Sequence, residues 1–183
     1  MGWTLPGTVQ QIPRENAENI AEIFSSMFLA GDIVLSQVVS ITGLEPYTVQ
    51  NWVKRGFLAP PHKKRYTQRQ LCRIININML KGVLPMERIC GLLGYINGQL
   101  DDESDDMIDD SQLYFMFVRL AARMRELYRE EDQEKILSQV MESYQEPFPG
   151  AAERVQEVLR IMLIAWLAAR MRQEAEILLN KLD

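Results

Sequence analysis

Two neighbouring stretches of the chain carry side chains suited to recognising a nucleic acid. Hydrogen-bonding and basic side chains repeat along one predicted helix: Tyr47, Thr48, Gln50, Asn51, Lys54 and Arg55. Glutamine and asparagine can pair bidentately with adenine, and lysine can reach guanine or a phosphate. A basic run follows, made of Lys63, Lys64 and Arg65 and closed by Tyr66. Positive charge there would neutralise phosphates, although a merely solvated loop is the alternative. These residue types predict a surface that binds double-stranded DNA.

The charge of the chain is strongly segregated. The formal net charge is −5, yet residues 33–82 contain eight basic residues and a single acid, Glu45. Residues 1–32 carry a net charge of −3, and residues 83–183 carry a net charge of −9. A basic segment in an otherwise acidic chain indicates one surface directed at a polyanion.

The sequence has no pattern typical of a catalytic or metal-binding site. Its only histidine, His62, lies in the basic run, where it cannot serve an ordinary histidine-based triad. Cys72 and Cys90 follow no zinc-site spacing, and we expect them to be reduced thiols in the core. Gly-rich phosphate loops and dinucleotide fingerprints are missing as well. We therefore predict no enzyme activity, no cofactor and no metal ion.

Two short helices and a tight turn must position the polar side chains. We expect Ser36 to cap a first helix and Gly43 to form the turn after it. Pro46 suits the first turn of a second helix, which should end near Arg55. Its apolar side would face the core through Val49, Trp52 and Val53.

The basic run should lie on an extended segment. Pro60 and Pro61 forbid a helix and favour an extended ribbon that continues to Tyr66. Thr67 is expected to cap the next helix, and Pro85 to open another. The order is therefore helix, turn, helix, ribbon and helix.

Three quoted stretches give the chain a family resemblance. LSQVVSITGLEPYTVQNWVKRGFLAPP, KKRYTQRQL and LKGVLPMERICGLL resemble, in that order, the DNA-binding domain of MerR-type transcription regulators. Within that family the chain is most similar to a poorly characterised set of bacterial MerR-like proteins without a recognised effector domain. The resemblance implies a winged helix-turn-helix at residues 33–98, whose second helix enters the major groove. It also implies a dimeric regulator that distorts promoter spacers.

The sequence departs from the family pattern at several positions. Glu45 stands where a serine, aspartate or asparagine is usual, and Tyr47 and Gln50 stand where arginines are common. Only residues 62–64 separate the prolines from Arg65, so the wing is short. MerR proteins dimerise through one long antiparallel helix, whereas this chain is expected to offer a helical hairpin.

Three further segments surround the basic one. Residues 1–32 are expected to form a helical arm, with its helix capped by Asn16. Residues 99–110 form an acidic segment in which positions 101–110 hold seven acids. We expect a solvated linker or a charged first helical turn there, and an acidic strip that mimics DNA or contacts a partner is the alternative. Residues 111–183 should form a helical dimerisation region, with one helix from Ser111 to about Tyr144 and a second from Ala151.

The fold class expected is all-α with a small β-wing, combining a winged helix-turn-helix with a carboxy-terminal helical hairpin. We predict a cytoplasmic, homodimeric, sequence-specific DNA-binding transcriptional regulator with no membrane contact. One alternative is a protein-interaction adaptor that uses the same fold. Another is a regulator that responds to a small molecule, bound between carboxy-terminal helices by aromatic side chains and methionines: Tyr114, Phe115, Phe117, Tyr128 and Trp166.

Overall fold

The computed structural model describes residues 2–98, 100, 104–124 and 130–181, without side-chain detail at residues 130–132, and is mostly helical. The strands are β1 (Trp3–Thr4), β2 (Gln11–Ile12), β3 (Ile33–Val34) and β4 (Arg65–Tyr66). A 3₁₀ helix at Arg14–Asn19 precedes the α-helices, which are α1 (Ile20–Met27), α2 (Leu35–Thr42), α3 (Pro46–Lys54), α4 (Gln68–Leu80), α5 (Met86–Asn97), α6 (Asp110–Arg123), α7 (Glu130–Met141) and α8 (Ala151–Leu179). Strand β1 pairs with β2, and β3 pairs with β4, both antiparallel.

Helix α4 lies at the centre of the fold and is buried along most of its length. Its start follows from a capping box, because the Thr67 hydroxyl accepts a hydrogen bond from the Gln70 backbone N–H and the Gln70 side chain accepts one from the Thr67 N–H. Thr67 is therefore the cap that the sequence predicted. A helix surrounded by protein on several sides must place its polar side chains against partners.

Helix α6 packs against α4 and is buried on nearly all sides. Its residues Tyr114 and Phe115 contact Phe24 of α1, with ring centroids 5.4 and 5.3 Å from the Phe24 centroid. On its other side, Phe117 meets Trp166 of α8 edge-on. One hydrophobic core consequently extends from the amino-terminal arm through α4 and α6 to α8. The aromatic side chains Tyr114 and Phe117 are wholly buried in this core.

The carboxy-terminal region differs from the two-helix hairpin expected from the sequence. The helix expected to run from Ser111 to about Tyr144 is replaced by α6, which ends at Arg123, and by the separate helix α7. Met124 has an extended conformation (φ −76°, ψ 91°), which ends the helical hydrogen-bond ladder there. Residues 111–181 therefore contribute α6, α7 and α8, and Tyr128 lies outside the described residues.

Several predicted helix caps lie elsewhere in the structure. Asn16 falls inside the 3₁₀ helix, and Ser36 falls inside α2, whose cap position is Val34. The cap of α6 is Asp109, whose carboxylate accepts hydrogen bonds from the N–H groups of Ser111 and Gln112. A carboxylate at this position also interacts favourably with the helix dipole, and so displaces serine as the cap.

The described part of the acidic segment packs against α4 and is no solvated linker, whereas Asp109 and Asp110 form the charged first helical turn that was also expected. Arg69 contacts Asp106 at 2.6 Å, and Arg73 contacts Asp110 at 3.3 Å. Ile108 is buried between these two acids. Burial raises the pKa of the Asp106 carboxyl against the opposing influence of Arg69, and that of the Asp110 carboxyl against both Arg73 and Arg69. The acids that looked like a hydrophilic run therefore neutralise arginines of the central helix.

Two smaller findings concern membranes and thiols. In the part of the chain that the structure describes, no helix has both the length and the hydropathy needed to cross a bilayer. Cys72 is buried and Cys90 is half-buried, and both are free thiols. Burial raises the pKa of each thiol, which keeps the reactive thiolate form rare.

A first prediction concerns the contact between α6 and the amino-terminal arm. The buried Tyr114 hydroxyl donates a hydrogen bond of 3.0 Å to the Pro6 carbonyl. Tyr114→Phe should lower the free energy of unfolding by about 1–2 kcal/mol, because it leaves a buried acceptor without that donor. Urea denaturation followed by circular dichroism measures the change.

Tyr95→Phe provides the matched control, since the Tyr95 ring is half-exposed and stacks with Arg154 through its face. We expect that variant to lie within about 0.5 kcal/mol of the wild type. Equal effects of the two substitutions would contradict a structural role for the Tyr114 hydroxyl.

Candidate nucleic-acid interface

Helices α2 and α3 are joined by a turn that only glycine can form without strain. Gly43 has φ 69°, a left-handed conformation, and its N–H donates to the Val39 carbonyl at 2.8 Å. A Cβ atom at this position would lie 2.6 Å from Cγ1 of Val9. The turn predicted at Gly43 is therefore present, and a contact with the amino-terminal arm adds a second reason for the glycine.

The turn is held from two sides by contacts that the sequence pattern did not reveal. The Val9 N–H donates to the Ile41 carbonyl at 3.0 Å, which attaches the arm to α2. The Asn78 side-chain amide of α4 donates to the Thr42 carbonyl at 3.0 Å and to the Gly7 carbonyl at 2.9 Å. An asparagine among the mostly apolar residues 74–80 of α4 is the signal that could have indicated such a contact.

Helix α3 has one buried side and one exposed side. Val49 and Trp52 are buried, as predicted, while Val53 is half-buried. The Tyr47 side chain is 70% exposed, and Thr48 is half-buried. The exposed side also carries other predicted contact residues: Gln50, Asn51, Lys54 and Arg55. The exposed polar residues thus form a continuous strip along this helix.

Helix α3 ends in a Schellman motif. The Gly56 N–H donates to the Val53 carbonyl and the Phe57 N–H donates to the Trp52 carbonyl, while Gly56 has φ 74°. Arg55 stacks over the Phe57 ring at 4.5 Å and contacts Glu87 of α5 at 3.3 Å. Part of the Arg55 charge is therefore neutralised within the protein.

A tight turn carries the two lysines of the basic run. Strand β4 pairs with β3 so that Val34 is opposite Arg65, and the Arg65 N–H donates to the His62 carbonyl at 2.9 Å. Between them, Lys63 and Lys64 have φ 47° and 64°. Two consecutive positive φ values are typical of a type I′ turn, which strongly favours Asn-Gly. Lysines at both positions carry a conformational cost that turn formation does not explain.

The remaining two residues of the predicted run have structural roles. Tyr66 is only 3% exposed and packs in the core beside its strand partner Ile33, and its predicted contact with DNA stays a prediction. Arg65 is exposed, and its guanidinium donates to the Asp32 carbonyl at 2.7 Å. Among the described residues, Lys54, Lys63 and Lys64 have no side-chain hydrogen bond or ion pair, which leaves their charge available to a ligand.

An open groove of about 430 Å³ joins α3 to the lysine turn. Its walls include Gln50 and Val53 of α3, together with Pro61 and Lys64 on the opposite side. The groove places a hydrogen-bonding side chain of the helix and a cation of the turn on one surface. The structure therefore brings together the two stretches that the sequence treated separately.

Two side chains of α4 hold the segment between α3 and the turn. The Gln70 amide donates to the carbonyls of Ala59 and Pro60, both at 3.1 Å. Arg73 donates to the Phe57 carbonyl at 3.4 Å and also contacts Asp110 at 3.3 Å. These bonds satisfy carbonyls in a segment whose prolines prevent regular secondary structure. They also connect the candidate interface to the start of α6.

Comparison with known proteins yields one match. Residues 28–117 match a family described as Domain of unknown function (DUF1836). Neither curated proteins nor solved structures produce a match to the chain. The matched sequence includes α2, α3, both strands of the second sheet, α4, α5 and the first half of α6.

A second prediction concerns the conformational cost of the lysine turn. Replacing the pair with Lys63→Asn and Lys64→Gly should raise the free energy of unfolding by about 1–2 kcal/mol, because these residues adopt positive φ more easily. Urea denaturation measures the gain.

The paired variant Lys63→Ala and Lys64→Ala removes the same charge while retaining side chains that disfavour positive φ. We expect its stability to remain within about 0.5 kcal/mol of the wild type. If the Asn-Gly variant is no more stable than the Ala-Ala variant, the lysines carry no conformational cost.

Proposed function

We propose that the protein is a sequence-specific DNA-binding transcriptional regulator that acts as a dimer. In this proposal residues 33–98 form a winged helix-turn-helix, with α3 as the recognition helix and the His62–Arg65 turn as the wing. The observation that carries the proposal is the pair of lysines held at positive φ beside the exposed polar strip of α3. A costly backbone conformation with unpaired positive charge suggests a role in binding a polyanion.

Helix α3 would read base edges in the major groove. Gln50 and Asn51 are exposed neighbours on this helix, and both amides can pair with adenine. Tyr47 lies one turn earlier, at the amino-terminal end that leads into the groove in helix-turn-helix proteins. Lys54 would contact a phosphate or guanine at the other end. Glu45 is exposed at the cap position of α3. Its carboxylate would repel phosphates unless the side chain faces away from them.

The lysine turn would contact the sugar–phosphate backbone and set the register of α3. Lys63 and Lys64 lie at the tip of the turn, and Arg65 steadies its base through the Asp32 carbonyl. Arg55 would exchange its exposed contact with Glu87 for a phosphate, at little cost because exposed ion pairs contribute little to stability. The acidic remainder of the chain would keep other surfaces away from DNA.

A second copy of the chain would bind along the end of α8. Residues 171–180 are exposed on all sides of this helix. Along residues 161–178 of α8, apolar residues recur at alternating spacings of three and four, as in a coiled-coil seam: Ile161, Ile164, Ala168, Met171, Ala175 and Leu178. Ile164 and Leu178 are more than half exposed, although a helix of such spacing normally buries this seam. A two-fold dimer would present two α3 helices to half-sites about 34 Å apart, or to bent DNA.

A third prediction tests DNA binding directly. Fragments selected from genomic DNA by the wild-type protein should share an inverted repeat, and affinity for it should fall steeply with salt. Replacing Lys63 and Lys64, by either the Ala-Ala or the Asn-Gly pair, should reduce the log–log salt slope by about 1.8, since each lost phosphate contact contributes about 0.9. Fluorescence anisotropy over a salt series measures the slope.

Substitutions on α3 should instead change sequence preference. Gln50→Ala and Asn51→Ala should each weaken binding to the selected site by about 1–3 kcal/mol, with little effect on random DNA. A control that removes two exposed lysines from other helical segments, Lys135→Ala with Lys181→Ala, should leave both affinities nearly unchanged. Weak, uniform recovery of fragments by every variant would refute DNA recognition and support the adaptor alternative.

A fourth prediction concerns the dimer. Met171→Glu combined with Leu178→Glu should give a monomer in sedimentation-velocity experiments, because four carboxylates would meet within the paired seam. Affinity for the inverted repeat should fall in parallel, while binding to a single half-site should remain. Far-UV circular dichroism checks that the fold is retained.

Gln173→Glu combined with Asn180→Glu is the matched control. These two exposed positions have the same separation in the sequence as Met171 and Leu178. Their substitution adds the same charge outside the seam. We expect this variant to remain dimeric. Dissociation of both variants, or of neither, would argue against pairing through the α8 seam.

A further inference from the structure

A cavity of about 450 Å³ lies between the amino-terminal arm, α6 and the segment that follows α7. Phe115 and Met116 of α6, Ile20 of α1 and Tyr144 supply its apolar walls. Its size is within the range of sites that bind small organic molecules. The Tyr144 hydroxyl already donates to the Met107 carbonyl, so Tyr144 contributes its ring to the wall.

The cavity also contains an arginine whose bonding is incomplete. The Nε atom of Arg119 is buried and has no hydrogen-bond partner in the described part of the structure. No ion pair to Arg119 occurs there either, whereas Arg123, one turn further along α6, contacts Glu18 at 3.0 Å. Glu18 lines the same cavity, but its carboxylate is already engaged by Arg123. Since no carboxylate of the described residues pairs with Arg119, its positive charge is available at the cavity.

We propose that this cavity binds a small organic anion, with its carboxylate on Arg119 and its apolar body against Phe115 and Met116. The planar guanidinium matches a carboxylate in shape and charge. The aromatic ring and the flexible methionine suit a compact apolar or aromatic body. A ligand of this class would accept hydrogen bonds from the terminal guanidinium nitrogens of Arg119, which lines the cavity.

Binding at this cavity would act on the helix that reaches the candidate DNA interface. Arg119 lies on α6, and Asp110 at the start of α6 contacts Arg73, which bonds to the Phe57 carbonyl beside α3. A regulatory effect of the ligand rests on the proposed DNA-binding function. Binding itself does not, and it is therefore tested on the protein alone.

Thermal unfolding of the full chain tests the proposal with defined probes. Sodium benzoate and sodium hexanoate, each at roughly 10 mM, should raise the Tm of the wild type by about 3 °C. Benzamide and hexanamide with matched sodium chloride should not, because they lack the charge. Arg119→Met should abolish the carboxylate-specific shift, because it removes the guanidinium that would bind the carboxylate.

Arg88→Met removes the same charge from an exposed position on α5 and should keep the wild-type response. Arg119→Lys keeps the charge without the planar fork and should show a reduced shift, which preserves the test if Arg119→Met does not fold. The absence of any carboxylate-specific shift in the wild type would overturn the proposal, as would an undiminished shift in both Arg119 variants. Failure of DNA binding in the separate anisotropy experiments would leave this result unaffected.

Discussion

The fold depends on the polar side chains of the central helix, whose hydrogen bonds hold the neighbouring segments in place. Helix α4 places four of them against different parts of the chain: Gln70 on the segment before the lysine turn, Arg73 on Phe57 and Asp110, Asn76 on the start of α6, and Asn78 on the turn between α2 and α3. Each unmet bond would cost a desolvation penalty, so these contacts specify where each segment lies. The Arg73–Asp110 pair constrains the fold most strongly, because removing either side chain would leave the other as a buried charge without its partner.

This arrangement explains how an irregular surface segment is held in one conformation. The chain from Phe57 to Arg65 contains prolines and a tight turn, and has few bonds of its own. Hydrogen bonds from α4 and the short β3–β4 pairing hold it beside α3. The unfavourable backbone conformation of Lys63 and Lys64 can persist only because contacts fix the backbone before and after the turn. Preorganised charge of this kind reduces the entropy lost when a phosphate is bound.

The acidic carboxy-terminal half has two distinct roles in the structure. Close to α4, its acids neutralise Arg69 and Arg73, and Asp109 caps α6. Further along, α6 forms both the hydrophobic core and one wall of the cavity around Arg119. The same helix thus borders the cavity through its middle and reaches the segment beside α3 through the contacts of Asp110 with Arg73 and of Arg73 with Phe57.

Turns and helix caps that depend on interactions within a few residues could be predicted from the sequence alone. Gly43, Pro46, Gly56 and Thr67 act through backbone conformation and capping within a few residues, and the two-sided pattern of α3 follows from the spacing of Val49 and Trp52. The remaining features depend on contacts between segments that are distant in the sequence. Tyr66 is buried because strand pairing directs it inward, and the described part of the acidic segment packs against α4 because Arg69 and Arg73 lie opposite it. The positive φ of both lysines and the unpaired Nε of Arg119 depend on contacts between distant segments, which residue type and spacing do not encode.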